Sequence, residues 1–378
     1  MARKLTKTIE MKILQIINSL DTGGAEKLLL DTIPLYRKEG IEVDILVLWN
    51  NNHQFINVLK ELNCCNIYIL NESNNSRDIY KPWNIIKIKK ILKEYDLGHV
   101  HLFPVQYFVP LANLLNFNKT KLIFTEHNTT NKRIENKFFR IIDKFFYRTY
   151  KKQICISDQI RDIFRKAYHF PKSYYPIIYN GVDLNKIDLA VPYQKSDISP
   201  IFNEEDKIIV QISAFRPQKD QDTLIKALQL LPSNFKLLLI GDGIRREFCK
   251  QLVKDLNLAD RVCFLGQRID VPEIMKTVDY IVLSSKYEGL SLSSIEGLGS
   301  GKPFLASDVP GLAEVVKDAG VLFEFENYTQ LSEEILKLDS DSDYKNMVLK
   351  KSRIRANQYG INNMIIKHID LYKEVYAS

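Results

Sequence analysis

Two glutamates, Glu288 and Glu296, frame a Gly-Leu-Ser turn within SSKYEGLSLSSIEGLGSGKP, residues 284–303. An apolar run, YIVLSS, leads into the turn, and a helical pattern opens near Ser293. In such a strand–turn–helix unit the N–H groups of Gly289, Leu290 and Ser291 point where the helix dipole favours an anion. Glu288 stands just outside that nest. Glu296, inside the helix, could take paired hydrogen bonds from two neighbouring hydroxyls, as in a ribose diol. Ser293-x-x-Glu296 equally fits a capping box, in which Glu296 only closes its helix.

Other apolar runs end on similar chemistry. ISAFRPQKDQDTLIKAL places Arg216 and Lys219 between a strand and a helix, where fixed cations can neutralise a diphosphate. They fit two solvated loop charges as well. IGDG sets Gly241 and Gly243 around Asp242 at another strand end. FTEHNTT does the same for His127, either a satisfied histidine near the surface or a site residue. After the first strand, DTGGAEK brings Gly23 and Gly24 to the start of a helix. That suits a phosphate or a plain tight turn, and it is not the Gly-x-Gly-x-x-Gly of dinucleotide enzymes.

These residues must be held by a particular scaffold. Short apolar runs (KILQIINSL, EVDILVLW, NIYIL, HVHLF, KLIFTEHN) alternate with helical patterns, then restart as KIIVQISAF, FKLLLIGDG, RVCFLG, YIVLSS, KPFLAS and VLFEF. Continuous apolar strands separated by helices predict parallel sheets covered on both faces, with ligands beyond the carboxyl ends of the strands. The pattern predicts an α/β chain of two Rossmann-like domains: residues 1–183, a linker over 184–205 where two prolines and mixed polarity interrupt, and residues 206–360. A last helix, 361–378, is expected to return to the first domain.

The combination of Glu288, seven residues and Glu296 with Gly289 between, followed by GSGKPFLASDVPGLAE, resembles the signature of the retaining glycosyltransferases of family four. GGAE, TEHN, YNGVD, PQKDQDTLIKA and IGDG match as well, in the family's order and over nearly the whole chain. The resemblance implies the GT-B fold, two doubly wound parallel-sheet domains facing across a cleft. It makes residues 1–183 the acceptor-binding domain and 206–360 the nucleotide-sugar-binding one. Gly23 and Gly24 would border the donor diphosphate and the acceptor, and His127 would contact the donor sugar. Arg216 and Lys219 would hold the diphosphate, Glu288 the sugar hydroxyls and Glu296 the ribose. Gly289, Leu290 and Ser291 would give backbone contacts, and the Gly241-Asp242-Gly243 turn would join the donor site.

The implied reaction moves a hexose or N-acetylhexosamine from a nucleotide sugar, UDP or else GDP, to a glycan or polyprenyl-linked acceptor in surface polysaccharide synthesis. It uses no metal and no cofactor. Two features depart from the family pattern. Ala214 stands where a phosphate-binding arginine is usual, and Glu-Gly-Leu-Ser replaces Glu-Gly-Phe-Gly. A sugar-nucleotide epimerase of the same architecture, or a catalytically silent relative, are the alternatives.

Composition sets the remaining bounds. Among 378 residues, 45% hydrophobic and 26% charged describes a soluble globular chain, neither disordered nor membrane-spanning. The basic start is not followed by a signal-peptide pattern, so a cytoplasmic protein is expected. Five cysteines without metal or redox spacing are expected to be reduced thiols. The net charge of +7 is uneven: residues 1–183 hold 28 Lys and Arg against 18 acids. Much of the excess lies in NKRIENKFFRIIDKFFYRTYKK, read as one helix over 131–152 with Phe138, Phe139, Phe145 and Phe146 between the cations. It reads either as a core-facing helix with a solvated face, or as an interfacial helix. In the second reading Lys132, Arg133, Lys137, Arg140 and Lys144 face an anionic inner-membrane surface. No recognition motif supports a nucleic-acid partner.

Overall fold

In the computed structural model the described residues are 11–21, 23–127 and 132–378, with Lys132 and Arg133 described by their backbone alone. The chain forms two compact units, residues 1–180 with 362–378, and residues 181–361.

The first unit is built on six strands: β1 (Lys12–Ile17), β2 (Glu42–Val47), β3 (Ile67–Ile69), β4 (Leu97–His101), β5 (Lys121–Glu126) and β6 (Lys152–Cys155). They pair in parallel in the order β3-β2-β1-β4-β5-β6. From β1 the chain winds outward to β3, then returns past β1 to build β4 to β6 on the other side. The order therefore reverses between β1 and β4, where loops diverge and leave room for a ligand.

The second unit repeats this plan with β7 (Lys207–Ile212), β8 (Phe235–Ile240), β9 (Val262–Gly266), β10 (Tyr280–Leu283), β11 (Phe304–Ser307) and β12 (Val321–Phe323). Its order is β12-β11-β10-β7-β8-β9, so its reversal falls between β7 and β10. The central strands are apolar nearly throughout because helices cover both faces. Two parallel α/β sheets, the architecture expected from the alternating pattern, are thus present.

Two segments differ from their sequence-based reading. Residues 184–205 are not a free tether: they carry the helices Leu184–Leu189 and Lys195–Ile198 within the second unit, with Leu184, Ile187 and Phe202 buried. Three apolar anchors spread over twenty-two positions leave no periodic signal, which is why the stretch reads as a linker. The expected helix over 131–152 is two helices, Lys132–Glu135 and Lys137–Tyr147. Asn136 ends the first, and its side chain caps the second by accepting from the N–H groups of Phe138 and Phe139. The final helix, Ile361–Ala377, belongs from Asn362 onward to the first unit.

Candidate functional site

Two loops leave the second sheet at its reversal point and are sewn together. One follows β7 and carries Arg216 and Lys219; the other follows β10 and carries Glu288. The Lys219 ammonium lies 2.5 Å from the Glu288 carboxylate, and the Ser285 hydroxyl donates to the same oxygen at 2.7 Å. The backbones are joined beneath them. Ser284 donates to the Asp220 carbonyl at 2.6 Å, the Gln211 amide to the Lys219 carbonyl at 2.8 Å, and the Lys286 N–H to the Gln218 carbonyl at 2.8 Å. A buried carboxylate and ammonium are tolerated only when so paired and bonded. An ammonium has three donors, so Lys219 can hold Glu288 and still meet an anion.

Gly311 explains how closely this loop is backed. A Cβ there would lie 2.1 Å from the Glu288 carbonyl oxygen and 2.7 Å from that of Gly289, and its φ is +86°. Only glycine fits both constraints. Gly241 and Gly243 have a similar explanation, since their missing Cβ atoms let the turn lie on the backbone of Ser213 and Phe215. The Gly-Asp-Gly turn thus buttresses the Lys219 loop, with Asp242 exposed and accepting from the Gly243 N–H.

After Glu288 the chain enters the helix Leu292–Gly299, with Ser291 at its N-cap. Among the described residues, the N–H groups of Gly289, Leu290 and Ser291 find no hydrogen-bond acceptor. Ser293 is not the cap, so the capping-box reading of Glu296 fails on register. Glu296 sits in the second helical turn and is buried. Arg216 heads the Pro217–Lys219 turn and is exposed, with no side-chain partner among the described residues. The Ala214 carbonyl accepts from the Arg216 N–H at 2.9 Å and from the Gln221 amide at 3.1 Å. Burial beside Asp222 pushes the neighbouring Asp220 carboxyl up to about 6.

The first unit offers a different kind of site. Gly23 caps the helix Gly24–Lys38, and the Glu26 carboxylate folds against it, so this chain itself supplies negative charge to that helix end. His127 follows β5 directly. Its Nε2 lies 3.0 Å from Nδ1 of His101, and burial lowers its pKa to about 4. His101 and His99 share one face of β4, where Gln15 of β1 joins them, and the final helix adds His368 and Tyr372. A small cavity is lined by Gln15, His99, His101, His127 and His368, among others. Burial holds His99 and His101 well below the ordinary histidine value and brings His368 to about 3. All four are neutral at pH 7.

On the helix Lys137–Tyr147, Phe138 is 67%, Ile141 72% and Phe145 63% exposed, with Lys137 exposed beside them. Arg140 and Lys144 are partly exposed. The helix's one acid, Asp143, turns inward to the hydroxyls of Tyr107 and Tyr168. The outer face is therefore apolar and cationic. The side chains of Lys132 and Arg133 lie outside the described residues.

The model of Glycosyltransferase Family 4 matches residues 22–186, and that of Glycosyl transferases group 1 matches residues 194–360. Between them they take in every strand except β1, and the paired loops of the second unit. The chain belongs to the GT-B glycosyltransferases. A Campylobacter jejuni relative, an N-acetylgalactosamine-N,N'-diacetylbacillosaminyl-diphospho-undecaprenol 4-alpha-N-acetylgalactosaminyltransferase, is 26% identical over 91% of this glycosyltransferase and 94% of its own length. The Escherichia coli UDP-Gal:alpha-D-GlcNAc-diphosphoundecaprenol alpha-1,3-galactosyltransferase is 24% identical over 78% of each chain. Among solved structures, Anabaena HepE in complex with UDP-glucose superposes with a TM-score of 0.81 at 21% identity, covering 96% of this chain and 100% of that one. That likeness is one of fold.

Sequence reasoning missed Gln211, Ser284 and Ser285, which join the two loops of the second unit, and the polar line through Gln15, His99, His101 and Tyr372 in the first. A signal for the latter existed: His99-x-His101 has the two-residue period that puts both rings on one face of a strand.

Proposed function

We propose that this glycosyltransferase moves a hexose or N-acetylhexosamine from a UDP-sugar to a glycan or polyprenyl-linked acceptor, with retained anomeric configuration and without a metal. The observation that carries the reading is the Lys219–Glu288 pair, set between the two loops at the reversal of the second sheet beside three unbonded N–H groups. Breaking a sugar–phosphate bond through an oxocarbenium-like state places growing negative charge on the leaving diphosphate. Lys219 and the N–H groups of Gly289, Leu290 and Ser291 stabilise it there. Arg216, unpaired on the rim of the same loop, adds charge and takes the place of the arginine absent at Ala214. Glu288 positions sugar hydroxyls, Glu296 takes the ribose, and His127 meets the sugar. The relatives that act on diphospho-undecaprenol acceptors support the lipid-linked choice.

A panel of UDP- and GDP-sugars, scored by thermal stabilisation and by products with and without chelator, tests this. Expected are stabilisation by one UDP-sugar, free UDP and a longer glycan, with turnover unchanged by chelator. An altered nucleotide sugar without transfer would make it an epimerase; binding without any product would make it a silent relative.

Among the described residues no helix is long and apolar enough to cross a membrane. The outer face of Lys137–Tyr147 supports peripheral binding to the inner, anionic leaflet. Vesicles containing a third phosphatidylglycerol should pellet the protein at low salt and release it at about 0.5 M, where surface charges are screened beyond a few ångström. Replacing Phe138 and Phe145 with serine should abolish the pelleting. Equal pelleting by neutral vesicles at either salt would sink the idea.

A further inference from the structure

Six side chains in the first unit form one unbroken hydrogen-bonded chain: Thr125, His99, Tyr372, Gln15, His101 and His127. The successive contacts are His99 Nε2 to Thr125 Oγ1 at 2.6 Å, His99 Nδ1 to the Tyr372 hydroxyl at 2.6 Å, and the Gln15 Nε2 to that hydroxyl at 3.2 Å. His101 Nε2 to Gln15 Oε1 follows at 2.9 Å, then His101 Nδ1 to His127 Nε2 at 3.0 Å. A neutral imidazole has one donor and one acceptor. Each contact therefore fixes the direction of the next.

The Gln15 amide sets that direction. Its oxygen faces His101 Nε2, so His101 donates there and its Nδ1 must accept. His127 must then donate from Nε2, which leaves Nδ1 as a bare lone pair. The Gln15 N–H faces Tyr372, whose own hydroxyl proton goes to His99 Nδ1, and His99 donates from Nε2 to Thr125. With the Gln15 amide so oriented, all five links run in a single sense, and no carboxylate enters the chain.

We infer that Gln15, Tyr372 and His99 act through His101 as positioning residues, holding His127 as the Nε2–H tautomer so that Nδ1 accepts from a ligand hydroxyl. Among the described residues that nitrogen has no partner, and His127 as a residue is half-buried. The tautomer is a property of the first unit alone; that the hydroxyl belongs to a sugar rests on the function proposed above. A ligand group that can only accept, such as fluorine in place of the hydroxyl, is then rejected at this position.

The test is spectroscopic and needs no activity. In the full chain labelled with ring-15N histidine, two-bond proton–nitrogen spectra at pH 7 should show His99, His101 and His127 all as Nε2–H, with His127→Gln assigning its signals. In Gln15→Met, two links away, the His127 Nε2–H should exchange with water roughly tenfold faster while backbone amide protection in the first unit is retained. Tyr372→Phe serves as the second variant. An Nδ1–H on any of the three rings, or an unchanged exchange rate in both variants, overturns the inference. Should no sugar be transferred at all, the tautomer result still stands or falls by itself.

Discussion

On acidification from pH 7 to 5 the first unit is expected to lose most of its stability while the second is retained. The cause is the buried, neutral histidine cluster. His99, His101, His127 and His368 all have pKa values lowered by burial, to about 4 and about 3 for the last two. In the unfolded chain each titrates near about 6.5. The unfolded state therefore takes up protons that the folded state refuses. Stability from this source is complete above about 6.5 and drains as pH falls toward the folded values. Between pH 7 and 5 His127 and His368 each remove about 2 kcal/mol, and His99 and His101 act in the same direction, against a typical total of about 5–15 kcal/mol.

The second unit contains no histidine between 181 and 361. Its Asp220, pushed up to about 6, acts with the opposite sign, because the folded form takes the proton first. Acidification to pH 5 relieves that burial by about 1 kcal/mol. Hydrogen exchange by mass spectrometry along a pH series separates the two: peptides from 11–180 and 362–378 should lose protection between pH 6 and 5, and those from 181–361 should keep it. If both regions opened together, and only below pH 4, the ordinary carboxylates would be responsible and the histidine cluster would not.

That cluster also shows where sequence reading stops. The alternation of apolar runs and helical patterns made both sheets legible, because a parallel strand buried on two faces must be apolar almost throughout. The rule for ligands at strand ends then led to Lys219, Glu288 and His127 without any structure. Gln15 and His99 stayed hidden because they lie inside such strands; His101 closes β4, and only its two-residue spacing from His99 marks a polar face. Their partners, Tyr372 and His368, come from the far end of the chain. Asn136 shows a milder limit: one asparagine whose side chain caps a helix looks, in sequence, like an ordinary polar position on a longer helix. The Ser293-x-x-Glu296 spacing misled in the other direction, since the helix begins one residue earlier and Ser291 takes the cap.

Replacing Lys219 with alanine should lower kcat/KM by about 10²–10³-fold, the cost of removing one preorganised donor aimed at developing charge. The geometry makes the loss larger than for a surface lysine. Lys219 is mostly buried, its backbone carbonyl is held by Gln211, and its ammonium already sits on Glu288, so no reorganisation is needed when a diphosphate leaves. Truncation also strands the Glu288 carboxylate, which among the described residues keeps only the Ser285 hydroxyl, and a buried charge left without its partner costs about 3–5 kcal/mol. The protein should therefore melt earlier as well as react more slowly. The double variant Lys219→Ala with Glu288→Gln separates these effects: removing the stranded charge restores the melting temperature and leaves the rate low. Arg216→Ala, by contrast, touches an exposed guanidinium and should cost far less in rate and nothing in stability. Steady-state kinetics and thermal melts on the four proteins decide it. If Lys219→Ala kept more than a tenth of the parent kcat/KM, or if Arg216→Ala proved the more damaging, the leaving diphosphate would have to be stabilised elsewhere. The paired loops at the reversal of the second sheet would then be a structural clamp.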